Sequence, residues 1–209
     1  MSFKDEKHLP YFVLLETLEE KGCPICNLTL KQVNGYFENL LYSGITSVPF
    51  KLKFDKTDGF CNRHTYQFFD YKDGLAVAIT YRGLFKKTIS QLEEKKIKKK
   101  NANCLICDIE SDAEKRYLSI LHEYFSEPQL KKALEKSSGL CMPHFTTFIK
   151  HYHYSQEFYD FHIEKFKELL SKVDEYVDTA NYTSDNRNKF DKNNLIWQDL
   201  LRVLYGYRK

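Results

Sequence analysis

The chain has 209 residues, of which 42% are hydrophobic and 15% are aromatic, so it can bury a hydrophobic core and is not a disordered polymer. Its net charge of +3 is too small to indicate a polyanionic partner by itself. The N-terminal residues MSFKDEKHLP lack the apolar segment of a secretory signal peptide, and no apolar run approaches the length of a membrane span. We therefore expect a cytoplasmic protein that does not enter a membrane, and in that compartment clustered cysteines are metal ligands or redox groups.

The sequence contains an internal repeat of about 80 residues. The segment Cys23-Pro24-Ile25-Cys26 recurs as Cys104-Leu105-Ile106-Cys107, and Gly59-Phe60-Cys61-Asn62-Arg63-His64 recurs as Gly139-Leu140-Cys141-Met142-Pro143-His144. Each repeat therefore has the order CxxC, helix, connection, and then GxCxxH at the start of another helix. With only eight Gly and five Pro in the chain, this order predicts an all-α fold of two similar helical units, each stapled by a metal site.

The hydrophobic periodicity supports helices along most of the chain. After Cys26, the apolar residues Val33, Phe37 and Leu40 form one helical face. Residues 47–54 instead alternate between apolar and polar types, which predicts an extended segment in the first repeat. At the corresponding place in the second repeat, Ser126 and Pro128 are typical of a helix start.

These patterns give three predicted regions. Residues 1–98 form the first metal-binding helical unit, and residues 99–180 form the second. Residues 181–209 contain a polar loop, Asn181 to Asn188, followed by a C-terminal amphipathic helix that ends at Gly206 and packs on the units in one compact globule.

All six cysteines fall in the repeated pattern, and two histidines complete it. A tetrahedral zinc site takes four ligands of these types. The spacing i, i+3 in CxxH puts both side chains on one face of a helix, and the positive end of the helix dipole favours the thiolate. The predicted ligands of two Cys₃His sites are Cys23, Cys26, Cys61, His64, Cys104, Cys107, Cys141 and His144. Each repeat offers one such set, although the spacing leaves open whether ligands pair within or between repeats.

Three other uses of the cysteines compete with zinc. Structural disulfides are disfavoured because no export signal is evident, and a thioredoxin-like dithiol is disfavoured because no βαβ pattern surrounds either CxxC. Iron–sulfur clusters take similar ligands but usually draw on tighter runs of cysteines, so two Zn²⁺ ions per chain are the favoured cofactors. Four protein ligands leave no position for water, which makes each site structural rather than catalytic.

A basic stretch follows in the first repeat, from Arg82 to Lys100. It can contact phosphates, but its position favours a solvated helix end and connector, so a nucleic-acid partner is possible and not favoured. The favoured function is a zinc-stabilised helical module that binds another protein. The alternatives are an iron–sulfur redox or redox-sensing protein with the same ligands, and a thiol sensor that ejects zinc on oxidation. Enzyme activity is not favoured, since the sequence contains no Gly-rich phosphate loop, GxSxG or HExxH motif.

The order of these motifs resembles an uncharacterised family of bacterial and archaeal proteins known only as a domain of unknown function. Its members carry CPxC, GFCxxH, an apolar Gly-Leu-Ala-containing helix, CxxC, GFCxPH and a C-terminal Leu-x-Gly. The chain matches these as Cys23 to Cys26, Gly59 to His64, Gly74 to Ala78, Cys104 to Cys107, Gly139 to His144 and Leu204 to Gly206. One departure is Leu140, where the family usually has Phe. The resemblance implies two metal sites and carries no established activity.

Overall fold

The computed structural model of the protein describes residues 7–96, 103–180 and 194–207, and every regular element within them is helical, which confirms the all-α prediction. A π-helical turn, Leu40–Gly44, follows the second helix. The α-helices of the described residues are α1 Leu9–Thr17, α2 Pro24–Asn39, α3 Val48–Lys56, α4 Asn62–Phe69, α5 Gly74–Glu93, α6 Leu105–Glu123, α7 Pro128–Lys136, α8 Met142–His151, α9 Gln156–Ala180 and α10 Ile196–Tyr205.

The chain folds into two compact units that do not coincide with the two sequence repeats. The terminal unit combines Met1–Leu28 with Glu114–Lys209, and the central unit is Thr29–Ala113. The division falls within α2 and within α6. The predicted regions 1–98, 99–180 and 181–209 follow the repeat, whereas each unit takes the CxxC turn of one repeat and the GxCxxH turn of the other.

The core of the terminal unit is formed by leucines and aromatic rings from α1 and α6 to α9. Leu14, Leu121 and Leu130 have no exposed surface. The rings of Phe148 and Phe158 lie 4.5 Å apart between centroids. This packing fixes α8, whose first turn carries two of the predicted metal ligands.

The core of the central unit is predominantly aromatic. Phe60 is fully buried, and its ring centroid lies 5.6 Å from that of Phe37, 5.0 Å from Phe54 and 5.9 Å from Phe68. All three pairs are edge-to-face, the arrangement that aromatic rings favour. Because Phe60 directly precedes Cys61, the same packing fixes a predicted ligand.

One prediction of secondary structure was wrong. The segment 47–54 was expected to be extended, yet it enters α3, with Pro49 in the first turn. Phe50 and Phe54 are four residues apart, so a helix directs both rings into the core, and both are buried. The predicted loop Asn181 to Asn188 lies outside the described residues, while the predicted C-terminal helix is α10, followed by Gly206.

Candidate metal centres

The structure brings the eight predicted residues together in two groups, each able to hold a metal ion. In each group the four donor atoms lie within 4.8 Å of one another. The terminal site consists of Cys23, Cys26, Cys141 and His144. The central site consists of Cys61, His64, Cys104 and Cys107.

Each group combines ligands from both repeats, which answers the question, left open by the spacing, of whether ligands pair within or between repeats. The CxxC turn of the first repeat meets the GxCxxH turn of the second, and the reverse holds at the other site. The boundary between the two units falls within α2 and within α6, so the CxxC turn and the GxCxxH turn of one repeat belong to different units.

Each half of each site is built on the first turn of a helix. Cys61 and Cys141 are the N-caps of α4 and α8, with nearly equal backbone angles of φ −64°, ψ 167° and φ −70°, ψ 162°. His64 and His144 follow three residues later, which puts each histidine on the same side of the helix as its cysteine. Cys23 and Cys104 directly precede α2 and α6. Two positive helix ends therefore face each set of thiols and favour their ionised form.

In the terminal site, the imidazole points Nδ1 at the three sulfurs. His144 Nδ1 lies 3.4 Å from Sγ of Cys23, 3.4 Å from Sγ of Cys26 and 3.1 Å from Sγ of Cys141. The sulfurs of Cys26 and Cys141 are 3.7 Å apart, well beyond the length of a disulfide bond. All four side chains are buried.

The central site repeats this geometry with more exposure. His64 Nδ1 lies 3.3 Å from Sγ of Cys61, 3.4 Å from Sγ of Cys104 and 3.5 Å from Sγ of Cys107. The sulfurs of Cys61 and Cys107 are 3.8 Å apart. His64 and Cys104 are buried, but Cys61 and Cys107 are partly exposed. All six cysteines of the chain are therefore free thiols, and three of them belong to each group.

A glutamate of α6 faces the second nitrogen of each histidine, and the sequence analysis missed both glutamates. Glu114 Oε1 lies 3.1 Å from His144 Nε2, within hydrogen-bonding distance. Glu110 Oε1 lies 3.2 Å from His64 Nε2, an ion-pair distance at which the geometry of a hydrogen bond is not met. Such a carboxylate orients a metal-binding imidazole and raises its basicity. The position of Glu110, one helical turn after Cys107, is the signal that could have identified it.

Arg63 distinguishes the central site from the terminal one. Its guanidinium binds Glu110 through two contacts of 2.7 Å and 2.5 Å, and its Nη2 lies 4.0 Å from Sγ of Cys107. Burial raises the pKa of Glu110, but the contacts with Arg63 and His64 outweigh it and lower the pKa to about 2. The second repeat has the uncharged Pro143 at the corresponding position of its CxxH turn.

Without metal, the ligand side chains of the terminal site have pKa values that are shifted in opposite directions. Burial raises the pKa of Cys23 far above its usual value, whereas hydrogen bonds from Cys141 and Cys23 lower the pKa of Cys26. Burial opposes protonation of His144, but contacts with Cys141 and Cys26 outweigh it and raise its pKa to about 11. A metal ion that takes these ligands must therefore displace protons, which makes its affinity depend on pH.

The pKa values of the central-site ligands are shifted in the same pattern, but by smaller amounts. Burial disfavours the Cys104 thiolate, yet the contact with His64 brings its pKa down to about 6. Burial, followed by repulsion from Cys104, raises the pKa of Cys107 to about 12. Burial opposes protonation of His64, and contacts with Cys104 and Glu110 raise its pKa to about 9.

A residue from the helix that follows fixes each GxCxxH turn. In the terminal unit His162 has no exposed surface; its Nε2 accepts a hydrogen bond of 3.0 Å from the backbone N–H of Leu140, and its Nδ1 donates to the carbonyl of Phe158 at 2.8 Å. In the central unit Tyr81 donates to Thr65, which donates to the carbonyl of Phe60.

The C-terminal residues lie against the terminal site. A side-chain carbon added at Gly206 would stand 3.4 Å from Sγ of Cys26 and 3.6 Å from Sγ of Cys141. The Tyr207 ring packs near Gly22, and the guanidinium of Arg202 lies over that ring at 5.3 Å. The turn after α10 thus covers the sulfurs of the terminal site.

Comparison with known proteins gives family membership without an activity. The family of unknown function DUF6062 matches the chain twice, over residues 12–100 and over residues 91–194. The chain is also similar to an uncharacterised 23.9 kDa protein encoded in the xynA 3′ region of Caldicellulosiruptor sp. (strain Rt8B.4), with 26% identity over 137 residues that cover 63% of this chain and 67% of that protein. No solved structure matches the chain. No helix in the described residues is long and apolar enough to cross a membrane.

Proposed function

From the premise that this chain belongs to the family of unknown function DUF6062, we propose that it is a zinc protein with two structural Cys₃His sites and that it acts as an interaction module for another protein. The observation that carries the zinc assignment is the spacing of the donor atoms in both groups. The partner assignment has separate support from the exposed surface of α5.

The donor spacing agrees with a tetrahedron around one zinc ion. With Zn–S bonds of about 2.3 Å and Zn–N bonds of about 2.0 Å, two sulfurs stand about 3.8 Å apart and a sulfur and a nitrogen about 3.5 Å apart. The sulfur pairs are 3.7 Å and 3.8 Å apart, and the six sulfur–nitrogen distances run from 3.1 Å to 3.5 Å. Both groups therefore have room for one ion at their centre.

The same spacing argues against the iron–sulfur alternative. In a cluster the protein ligands bind different iron atoms across an inorganic core, so their donor atoms stand further apart than around a single ion. Here all four donors of each group lie within 4.8 Å of one another. Three thiolates and one imidazole around a single ion are a common structural zinc set.

The ligand count supports a structural role. Four protein donors complete the coordination of zinc and leave no position for a water nucleophile. Glu114 and Glu110 lie 3.1 Å and 3.2 Å from Nε2 of His144 and His64, and Nδ1 of each imidazole faces the sulfurs. The ions would then stabilise the fold by joining two helix ends at each site.

Exposed apolar residues on α5 favour a protein partner. Leu75, Phe85 and Leu92 are 72%, 68% and 54% exposed, and Ile79 and Ile89 lie on the same side of the helix. An apolar face on a 20-residue helix is typical of a surface that another helix covers. In the basic stretch Lys87 pairs with Asp58 and Lys96 with Glu94, which favours a solvated helix end; Lys98, Lys99 and Lys100 lie outside the described residues.

Metal analysis of protein purified without air tests the zinc assignment. We expect about two zinc ions per chain and a colourless solution. Iron in place of zinc, with a brown colour and absorption near about 400 nm, would establish the cluster alternative instead. One zinc ion per chain would show that only one of the two groups is a site.

A further inference from the structure

The terminal unit contains a cavity of about 290 Å³ beside the terminal site. Cys23 and Cys141 form part of its wall, together with residues of α9, α10 and the turns before α2 and α8. Its volume lies at the small end of ligand pockets, which suits a molecule no larger than a mononucleotide. Zinc bound by four protein ligands takes no further ligand from this space, so the cavity has no role in the proposed structural function.

The cavity is lined by more positive than negative charge. Two acidic side chains, Glu168 and Asp199, accompany its cationic residues, which leaves a net charge of +3 on the lining. The cationic residues are Lys21, Lys136, Lys165, Lys172 and Arg202. A zinc ion with three thiolates and a neutral imidazole carries a charge of −1, so the terminal site does not balance this excess.

The ion pairs of the lining leave two lysines available. Asp199 binds Lys21 at 2.7 Å and Arg202 at 3.3 Å, and Glu168 lies 3.7 Å from Lys165. Within the described residues, neither Lys136 nor Lys172 has a carboxylate partner. An anionic ligand can therefore bind these two ammonium groups without breaking an existing ion pair.

Apolar and aromatic side chains form another part of the lining. Phe166, Leu169, Val203 and Tyr207 contribute to the wall. The Cζ atom of Arg202 lies over the ring of Tyr207, 5.3 Å from the ring centroid, which is a cation–π contact. A lining that combines apolar, aromatic and cationic side chains fits a ligand that has both a ring and a phosphate.

We propose that this cavity binds a small phosphate ester of mononucleotide size, with its phosphate on Lys136 and Lys172 and its ring against Tyr207 and Phe166. Both lysines are exposed residues, so removing their charge leaves the core intact. The bound ester would hold α9 and α10 against the turns that carry Cys23 and Cys141.

Titration calorimetry of the zinc-loaded full chain with AMP, inorganic phosphate and adenosine tests this proposal. We expect AMP to bind one to one, phosphate to bind more weakly, and adenosine not to bind. The variant Lys136→Gln/Lys172→Gln should weaken AMP binding by at least about tenfold, because two charge-assisted contacts are lost. The control Lys150→Gln/Lys167→Gln removes the same charge from exposed lysines of α8 and α9 outside the cavity and should bind AMP unchanged.

Several results would overturn the proposal: no binding of AMP or phosphate, equal weakening in both variants, or tighter binding of a single-stranded oligonucleotide that the cavity variant abolishes. The last result would assign the lysines to a polynucleotide surface. Acetylation of wild-type lysines, followed by mass spectrometry, gives a test that needs no variant. AMP should protect Lys136 and Lys172 and leave Lys150 and Lys167 reactive. Zinc content measured in the same samples keeps this outcome separate from that of the metal proposal.

Discussion

The terminal and central sites have the same four ligand types but different surroundings. Every ligand of the terminal site is buried, and Gly206 covers two of its sulfurs. In the central site Cys61 and Cys107 are partly exposed, and the guanidinium of Arg63 stands beside Cys107. The repeated sequence thus preserves the donors of a metal site, while the residues around them determine how solvent reaches it.

This difference bears on reactivity. A thiolate reacts with oxidants when it is accessible and when a nearby cation stabilises it. Both conditions hold at the central site, and burial opposes the first at the terminal site. If either site responds to oxidation, we expect it to be the central one, and the terminal site to serve the fold alone.

The largest expected effect comes from pairs of substitutions that separate the two ways of pairing ligands. Cys23→Ser/Cys61→Ser removes ligands of one repeat but of both sites, so the purified protein should carry no zinc. Cys23→Ser/Cys141→Ser removes two ligands of the terminal site alone and should retain one zinc ion. Elemental analysis gives the count, and the reverse result would mean that ligands pair within repeats.

Fluorescence gives a second measurement on the same variants. The chain has one tryptophan, Trp197 in α10, so its emission reports on the terminal unit. Structural zinc contributes on the order of 10 kcal/mol to small zinc modules, and a larger core dilutes that dependence. Loss of the terminal site should therefore alter the Trp197 emission, and Cys61→Ser should leave it unchanged.

The second prediction concerns the order of zinc release. When hydrogen peroxide oxidises pairs of thiolates to disulfides and is itself reduced to water, the zinc held by those thiolates is released. A chromophoric chelator should record one ion per chain in a fast phase and the second at least about tenfold more slowly. Cys61→Ser should lack the fast phase. Equal rates for both ions would show that exposure does not distinguish the sites.

Some features of the two sites could be predicted from the sequence and others could not. The identities of the eight candidate ligands follow from the repeat, because CxxC and CxxH are local motifs that can be identified in the sequence. The exchange of partners does not follow, since it depends on which helices pack together in each unit and not on a local motif. The glutamates behind the histidines were missed for the same reason, as Glu114 reaches His144 from another helix.

The error at residues 47–54 has a local cause. Apolar and polar residues alternate there, which is typical of a strand, yet Phe50 and Phe54 also lie one helical turn apart. Packing against Phe60 decides between the two patterns, because a helix buries both rings on that residue. Pro49 lies in the first turn of α3, as Pro128 lies in the first turn of α7, and was the available signal for a helix start.

The third prediction uses the different anchors of the two GxCxxH turns, His162 in the terminal unit and Tyr81 in the central unit. Burial lowers the pKa of His162 to about 4, from 6.5 in the unfolded chain. As the pH falls, His162 is protonated in the unfolded chain before it is protonated in the folded protein. The contribution of His162 to the free energy of unfolding is therefore fully present above pH 6.5 and is lost between pH 6.5 and about 4. Tyr81 stays neutral throughout this range.

The measurement is the free energy of unfolding of the wild type and of His162→Gln. The free energy of unfolding of the wild type should exceed that of His162→Gln by an amount that decreases by about 1 kcal/mol between about pH 7.5 and about pH 5.5. Comparing the two proteins cancels the titration of the metal ligands, which they share. A gap that stays constant over this range would mean that His162 titrates normally in the folded protein.

The smallest expected effect is that of a single methyl group over the terminal site. Gly206 has a φ of +77°, which L-residues rarely adopt, and its added carbon would press toward Sγ of Cys26 and Cys141. Gly206→Ala should therefore lower the stability of the terminal unit by about 1 kcal/mol through backbone strain.

Gly83→Ala is the matched control for Gly206→Ala. Gly83 lies inside α5, and nothing lies within 4 Å of a carbon added there. Alanine at this position should stabilise the helix by up to about 1 kcal/mol. Urea unfolding monitored at Trp197 measures the first change, and circular dichroism measures the second. If Gly206→Ala leaves the terminal unit as stable as the wild type, the turn after α10 does not close over the sulfurs, and the contrast in exposure between the two sites must come from the core alone.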